Sequence, residues 1–316
     1  MQTQLDEREP SERVLAVIVT YNIGKAIRHC FDSINNQVEH VIVVDNGSDE
    51  ITCRELRQIA ESNPITLIIN DRNEGLAHAY NQAVQWAKNK GFQWILTLDH
   101  DSQATPGMVN KLLDGYATLD RQGVQDVGVI GANPYDVNLH NYLFYGPPEG
   151  QDQLVEDNEA ISSGSLIRIE IFDKVGLFNE DLFIYYVDTD FCKRSIQSGF
   201  RVFVCRAAKL LHREGRKTRH KFLWRHAYYD HYSMTARYYI MRNSVYMIKK
   251  YSFSWIELYW IGRRLCLDHL KILVFDDERF ATLWCSFKGL MDGLRGKVGP
   301  MDDAKVTASA RLRGGR

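Results

Sequence analysis

Over the first third of the chain, short apolar runs alternate with stretches of helical spacing, and each apolar run closes on polar residues. Val14-Leu15-Ala16-Val17-Ile18-Val19-Thr20 is continuous and rich in β-branched side chains, the pattern of a parallel strand buried on both faces. It closes on Thr20-Tyr21-Asn22, and Lys25 to Ile34 then sets Ile27, Phe31 and Ile34 on one helical face. A second strand, His40 to Val44, ends in Asp45-Asn46-Gly47-Ser48-Asp49 and leads to a helix from Glu50 to Ser62. A third, Ile65 to Ile69, ends in Asn70-Asp71-Arg72-Asn73-Glu74-Gly75 before a helix from Leu76 to Lys88. The run Trp94 to Leu98 then ends in Asp99-His100-Asp101. Strands and helices alternating through short connections predict a parallel α/β sheet with right-handed crossovers. Ligands in such sheets sit at the carboxyl ends of the strands, so the four polar closures gather on one edge, where a nucleotide would bind. No G-x-G-x-x-G or G-x-x-x-x-G-K-[ST] pattern occurs, and the dinucleotide and P-loop modes lack support.

Beyond Pro106 a helix to about Leu119 leads to the strand Val127 to Gly131. Asn133 to Glu159, rich in Gly, Pro, Asn and aromatic residues, reads as a long loop or a small hairpin excursion, of the kind that usually carries function. Ile161 to Ile167 resumes a strand in small residues, suited to close approach of a ligand. Ile171 to Val175 is helical, Leu182 to Tyr186 reads as an aromatic strand, a helix runs from Val187 to Gly199, and Phe200 to Cys205 is the last strand. From Lys217 the character changes. Lys221 to Tyr251 is dense in Tyr, Trp, Arg and Lys, and Phe253 to Phe275 is apolar and amphipathic. Arg237-Tyr238-Tyr239, Met241-Arg242-Asn243 and Lys249-Lys250-Tyr251 suit a basic aromatic helix at a membrane interface, or a helical pair packed on the α/β domain or on a second copy. The expected division is a polar segment 1–13, an α/β domain 14–216, a helical basic and aromatic region 217–297, and a disordered tail 298–316.

Composition narrows the class. At 316 residues and 45% hydrophobic content, the chain can bury a sizeable core. A net charge of −1 gives no reason to expect nucleic-acid binding. The cysteines show no C-x-x-C spacing and suit a reduced protein with buried thiols. The polar Met1 to Arg13 stretch is unlike a signal peptide, and no apolar run approaches the ~20 residues of a spanning helix. The expectation is a cytoplasmic protein, soluble or peripheral at the inner face of the cell membrane.

The chemistry concentrates at Asp99-His100-Asp101. Carboxylates on alternate residues share one side of an extended chain and repel unless something positive joins them. A divalent cation chelated by a phosphate-bearing ligand is the economical answer. The plain alternative is a polar turn, with Ser102 or Thr105 capping the following helix before Pro106. The helix macrodipole is enough to explain Asp190 in the first turn after Val187, whereas Asp188 at the mouth of that helix is less easily dismissed.

Val17-Ile18-Val19-Thr20-Tyr21-Asn22, Val43-Val44-Asp45-Asn46-Gly47-Ser48, Arg72-Asn73-Glu74-Gly75-Leu76-Ala77 with Asn81, and Asp99-His100-Asp101 together resemble successive motifs of the family 2 glycosyltransferases. Within that family the chain resembles bacterial rhamnosyltransferases that use dTDP-L-rhamnose. That narrower likeness rests on Leu98-Asp99-His100-Asp101-Ser102, on Phe183 to Arg194, and on Arg237-Tyr238-Tyr239 with Arg242-Asn243. It covers Val14 to about His212 and thins towards Tyr251. It implies the GT-A fold, a Rossmann-like mixed and mainly parallel sheet, here with a C-terminal helical extension.

The resemblance also implies roles. Asp101 would ligate Mg²⁺ or Mn²⁺ on the donor diphosphate, with His212 as a further ligand better matched to manganese. Asp99 would reach the ribose or the metal's waters, and His100 would belong to the same nucleotide-sugar site. Asp45 would accept from the pyrimidine N–H, Thr20 and Tyr21 would line the base pocket beside Asn22, and Arg72 would sit near base or phosphates. Asn73 and Gly75 would shape the turn beneath. Asp188 falls at the position of the catalytic base, with Asp190 in support and Asp181 as its rival. The family often carries two adjacent acids at that point, whereas this chain has Val187-Asp188. The implied activity is inverting, metal-dependent transfer of L-rhamnose from dTDP-L-rhamnose to a lipid-linked glycan or polysaccharide acceptor, as in O-antigen or cell-wall synthesis, by a monomer or homo-oligomer. The alternatives are another donor such as UDP-galactofuranose or UDP-glucose, a non-catalytic nucleotide-sugar-binding protein, and a nucleotidyltransferase. The last would want a Gly-rich phosphate loop, which Thr20-Tyr21-Asn22-Ile23-Gly24 does not supply.

Overall fold

Alternation within the buried strands decides how the molecule is layered. The computed structural model describes residues 13–148, 153–212, 217–222 and 225–301. Strand β1 (Val14–Thr20) is buried along its whole length, flanked in parallel by β2 (His40–Asp45) and β4 (Trp94–Asp99), with β3 (Thr66–Ile69) parallel to β2. Val14, Ala16 and Ile18 face one core, together with α1 (Ile27–Ile34), α2 (Glu50–Ser62) and α4 (Met108–Arg121). Leu15, Val17 and Val19 face a second core, filled by α3 (Leu76–Lys90), α5 (Ile171–Val175) and α6 (Val187–Gln197). A strand covered on both faces reads as continuously apolar for this reason.

The second half of the sheet is mixed. Strand β9 (Ser165–Arg168) runs antiparallel between β4 and β6 (Val127–Asp136), and β10 (Arg201–His212) lies parallel to β6. Strand β5 (Gln103–Ala104) closes the far edge, antiparallel to the end of β10. Of the two expectations for Asn133 to Glu159, a long loop or a small hairpin excursion, the hairpin is the one found. Strand β6 continues to Asp136, β7 (Asn141–Tyr142) folds back on it, and β8 (Leu154–Asp157) pairs with β10. The strand expected to end at Cys205 continues to His212 through a register shift between Cys205 and Lys209. A hairpin of β11 (Lys217–Phe222) and β12 (Arg225–Asp230), not expected from the sequence, leads into the C-terminal helices.

Two sequence expectations are corrected here. Leu182 to Tyr186 is not a strand: a short 3₁₀ turn at Glu180–Leu182 gives way to left-handed backbone at Phe183, Tyr185 and Tyr186. Its apolar side chains imitate a strand, but its carbonyls are claimed from the side. Helix α7 (Met234–Lys250) sends the Arg242 guanidinium to the carbonyls of Asp181 and Leu182, and the Asn243 amide to those of Leu182, Ile184 and Tyr185. The same residues overturn the membrane-interface expectation for this helix, since Arg237, Tyr238, Tyr239, Arg242 and Asn243 are all buried. Lys250 donates to Asp190 and Lys249 to the carbonyls of Gly293 and Leu294.

Helix α9 (Arg279–Leu294) packs on α7 at close range, because a methyl at Gly289 would overlap the Tyr238 carbonyl and one at Gly293 would come within 2.8 Å of Arg242 O. The exposed apolar surface lies instead on α8 (Trp255–Phe275), where only Ile272 is buried, and on the outer side of α9. Of the tail expected to be disordered from Val298, Gly299 donates to the Asp181 carbonyl, and Met301 is buried with its N–H on Tyr239 Oη. Residues 302–316, the polar segment 1–12 and positions 213–216 and 223–224 of the basic run lie outside the described residues. The cysteines are free thiols, buried except for Cys266 on α8.

Asn243→Ala would strip three carbonyls of a buried donor without removing a charge. Urea unfolding should show a loss of about 1–3 kcal/mol at unchanged m-value. A loss under about 0.5 kcal/mol, the size of a surface substitution, would mean that other contacts hold the 182–185 segment.

Candidate active site

The ends of β4 and β10 bring three potential ligands together. Strand β5 pairs Ala104 with Leu210 and Gln103 with Leu211, so the segment after Asp99 lies against the last residues of β10. Donor atoms of Asp99, Asp101 and His212 thereby all fall within 4.8 Å of one another. Asp99 Oδ1 accepts from the buried Tyr80 hydroxyl at 3.2 Å. Burial, and next the charge of Asp101, hold the Asp99 carboxyl above the usual aspartate range. Two carboxylates held this close, with an imidazole beside them, are an arrangement that a divalent cation relieves, and one nitrogen with two oxygen donors suits manganese. The residues fit the cation that the sequence implied.

A serine turn between β8 and β9 joins this cluster to the expected base. Ser163 Oγ accepts the Asp99 N–H at 3.0 Å and donates to Ser102 Oγ at 2.8 Å. Ser102 Oγ lies 2.8 Å from His212 Nδ1. One residue earlier, the Ser162 N–H donates to Asp188 Oδ2 at 3.0 Å, and its carbonyl accepts from Thr97 Oγ1. Asp188 Oδ1 accepts the Thr189 N–H at 2.9 Å. Burial raises the Asp188 carboxyl above the usual range, and these two N–H groups hold the rise back. Tyr80 feels the charges of both Asp99 and Asp188, its hydroxyl pushed well up, by burial first and then by Asp99.

Tyr80 had no part in the expected site, Ile161 to Ile167, expected as a strand of small residues, is a turn up to Gly164 with β9 beginning only at Ser165, and the plain alternative of Ser102 or Thr105 as a helix cap does not hold. Helix α4 begins instead after Gly107, Ser102 is buried in the chain just described, and Thr105 donates to the Lys209 carbonyl at 2.6 Å. The helix-dipole account of Asp190 falls short. Its carboxylate is fully buried and ion-paired with Arg194 and Lys250, which with the Tyr251 hydroxyl hold it below the usual range against burial. It ties α6 to α7. Asp181 is exposed in the 3₁₀ turn and contributes its carbonyl to Arg242.

The expected nucleotide residues line the neighbouring strand ends. Asp45 is fully buried, accepting from Thr20 Oγ1 at 2.8 Å and from the Ser48 N–H at 2.9 Å. Asn22, in left-handed backbone, accepts the Asp49 N–H, and Tyr21 projects to solvent. Arg72 is largely exposed and paired with Glu74. Asn73 accepts the Gly75 N–H, and Gly75 sits at φ +94°, where a Cβ would lie 2.7 Å from the Phe183 carbonyl. His100 is half-buried beside Asp99. A cavity of about 650 Å³ opens between the sheet domain, α7 and α8, walled by Glu159, Ile161, Tyr186, Arg237, Trp260 and Thr189, the residue after Asp188, among others.

Comparison with known proteins gives this geometry a context. The dTDP-rhamnosyl transferase RfbF of Shigella flexneri is 29% identical over 253 residues, covering 76% of this chain and 81% of that protein. S. aureus TarS (residues 1–349) in complex with UDP-GlcNAc superposes with a TM-score of 0.57 at 16% identity, covering 90% of this chain and 81% of that one. The mannosyltransferase PcManGT of Pyrobaculum calidifontis, in complex with GDP-Man and Mn²⁺, does so with a TM-score of 0.53 at 16% identity, covering 96% of this chain and 81% of that one. Those two likenesses establish the GT-A fold. Residues 15–176 match the model of glycosyl transferase family 2, and the chain belongs to that family of glycosyltransferases.

Proposed function

We propose that this glycosyltransferase moves L-rhamnose from dTDP-L-rhamnose, with inversion, to a lipid-linked glycan acceptor at a membrane surface. The observation that carries the reaction type is the serine turn, which sets the half-buried carboxylate of Asp188 next to a separate two-carboxylate and histidine cluster. The sugar is supported by the resemblance to RfbF. Asp188 takes the proton of the acceptor hydroxyl as that oxygen attacks the anomeric carbon. The new bond forms opposite the breaking bond to the diphosphate oxygen, and the electron pair leaves with the nucleoside diphosphate. A divalent cation held by Asp99, Asp101 and His212 would supply Lewis-acid stabilisation of that leaving group. The cavity beside Asp188 would take the acceptor, its aromatic wall suited to sugar faces and Arg237 and Arg264 to a phosphate. A peripheral membrane position is supported by the exposed Trp255, Tyr259 and Trp260 of α8 and Phe280 and Trp284 of α9, aromatic residues of the kind that settle at headgroup level.

Asp188→Asn should lower the rate of transfer by about 10²–10⁴-fold while dTDP-rhamnose binding is retained. Turnover within about tenfold of the native enzyme would move the base elsewhere. In thermal unfolding, dTDP-rhamnose with Mn²⁺ should protect the protein, and UDP-galactofuranose and UDP-glucose should not, since a ligand stabilises only the state it binds. The reverse order would keep the reaction and replace the sugar. Chelation by EDTA should abolish transfer, and added Mn²⁺ should restore it.

The raised carboxyls of Asp99 and Asp188 give a pH signature with a definite sign. Ionising either group in the fold is unfavourable relative to the unfolded chain. That penalty is fully present above the raised folded values and is relieved as pH falls through them towards about 4. Metal-free Asp99→Asn should therefore melt higher than the native protein at pH 7, and the gap should close as pH approaches 4. A lower melting point for the variant at pH 7 would contradict this. The acid limb of kcat/KM should lie above the usual aspartate range, since Asp188 must be ionised to act.

A further inference from the structure

We infer that Ser102 is a positioning residue for His212, holding the rotation of its ring and tying that ring to Asp99. The inference rests on the cation-binding reading of Asp99, Asp101 and His212. Ser102 is fully buried and Ser163 nearly so. Buried hydroxyls persist where they have partners, and Ser102 has two, Ser163 Oγ and His212 Nδ1, each at 2.8 Å.

The direction of these bonds follows from what each group can offer. Ser163 Oγ accepts the Asp99 N–H and spends its own hydrogen on Ser102 Oγ. With Nε2 on a cation, the neutral ring would carry its one hydrogen on Nδ1, and Ser102 Oγ stands 2.8 Å away with a lone pair to accept it. The pairing of β5 with β10 fixes the backbone near His212 but not the rotation of the ring, which the Ser102 contact limits. Metal-binding histidines commonly give their second N–H to a carboxylate, carbonyl or water. A serine does so here without adding a third negative charge beside Asp99 and Asp101. Through Ser163 the same chain reaches the backbone of Asp99, so ring and carboxylate hold a common spacing.

The test is binding of Mn²⁺ alone to the full-length, metal-stripped protein, read as free Mn²⁺ by electron paramagnetic resonance. Ser102→Ala should weaken Mn²⁺ by about 10–100-fold, and Ser102→Thr, which keeps the hydroxyl, should restore affinity to within about threefold. The binding of dTDP without metal should stay unchanged in Ser102→Ala, which separates positioning from general loss of structure. Ser102→Ala binding Mn²⁺ within about twofold of the native protein would overturn the inference. His212→Ala and Asp101→Ala run alongside. Both weakening Mn²⁺ while Ser102→Ala does not would sink the role of Ser102 alone, and neither weakening it would sink the cation reading too. Should Ser102→Ala not fold, Ser102→Cys, similar in size with a poorly accepting sulfur, carries the same test and the same criterion.

Discussion

Most of this active site hangs on the turn at Ser162, Ser163 and Gly164. Gly164 sits at φ +84°, and a Cβ there would lie 2.9 Å from that of Ala132, so only glycine lets the turn press against β6. Pressed there, the turn is held to the neighbouring strand by the Gly164 N–H on the Thr97 carbonyl and by Thr97 Oγ1 on the Ser162 carbonyl. Two consecutive residues can then face two different carboxylates, Ser162 through its N–H to Asp188 and Ser163 through its hydroxyl to the Asp99 backbone. In the proposed mechanism, the distance between acceptor activation and leaving-group stabilisation would be a property of one short turn, fixed before any substrate arrives. Preorganisation of this kind removes reorganisation from the moment of reaction.

The other side of Asp188 is built by the C-terminal helices, which makes a boundary near residue 216 a weak physical division. Arg242 and Asn243 of α7 gather the carbonyls of residues 181, 182, 184 and 185, and the left-handed residues Tyr185 and Tyr186 then deliver the chain to the start of α6 and Asp188. Asp190, one turn into α6, is anchored by Lys250 and Tyr251 from the far end of α7. The guanidinium of Arg242 is desolvated, and burial lowers its pKa, so its position is stable only while the carbonyls are there to receive it. Base and clamp are therefore mutually dependent, and the aromatic run Leu182 to Tyr186 exists to be held, not to pair.

What could be read from the chain alone divides along the same line. The strands β1 to β4 and their polar ends were legible because burial on both faces writes itself into every residue of the run. The pair Asp99 and Asp101 was legible because like charges on alternate residues demand a counter-charge. The serine turn was not, because three small polar residues carry no periodicity and their partners stand far off, 64 residues away for Asp99 and 61 for Ser102. Leu182 to Tyr186 misled because apolar side chains show burial but not who receives the backbone. Helix α7 misled in a related way. Arginine, tyrosine and asparagine at its surface look like an interface for headgroups, yet they are turned inward onto peptide carbonyls, and the apolar side chains of α8 and α9 face outward instead.

The two carboxylate sites differ in how their charge is met, and that difference divides the labour between them. Asp188 has one backbone N–H on each oxygen, so its proton affinity is raised by burial and trimmed by two fixed dipoles. A carboxylate whose proton affinity is raised is a better base than an exposed one. Asp99 has a second carboxylate as its neighbour and, among the described residues, only the Tyr80 hydroxyl as a direct donor to its oxygens, a deficit of positive charge that a cation would meet. The buried hydroxyl of Tyr80, which feels both charges, sits where it can steady Asp99 without lending a proton, since its own acidity is suppressed. An environment that trims one carboxylate and leaves the other starved of positive charge would, in the proposed mechanism, separate base from ligand with no difference in residue type.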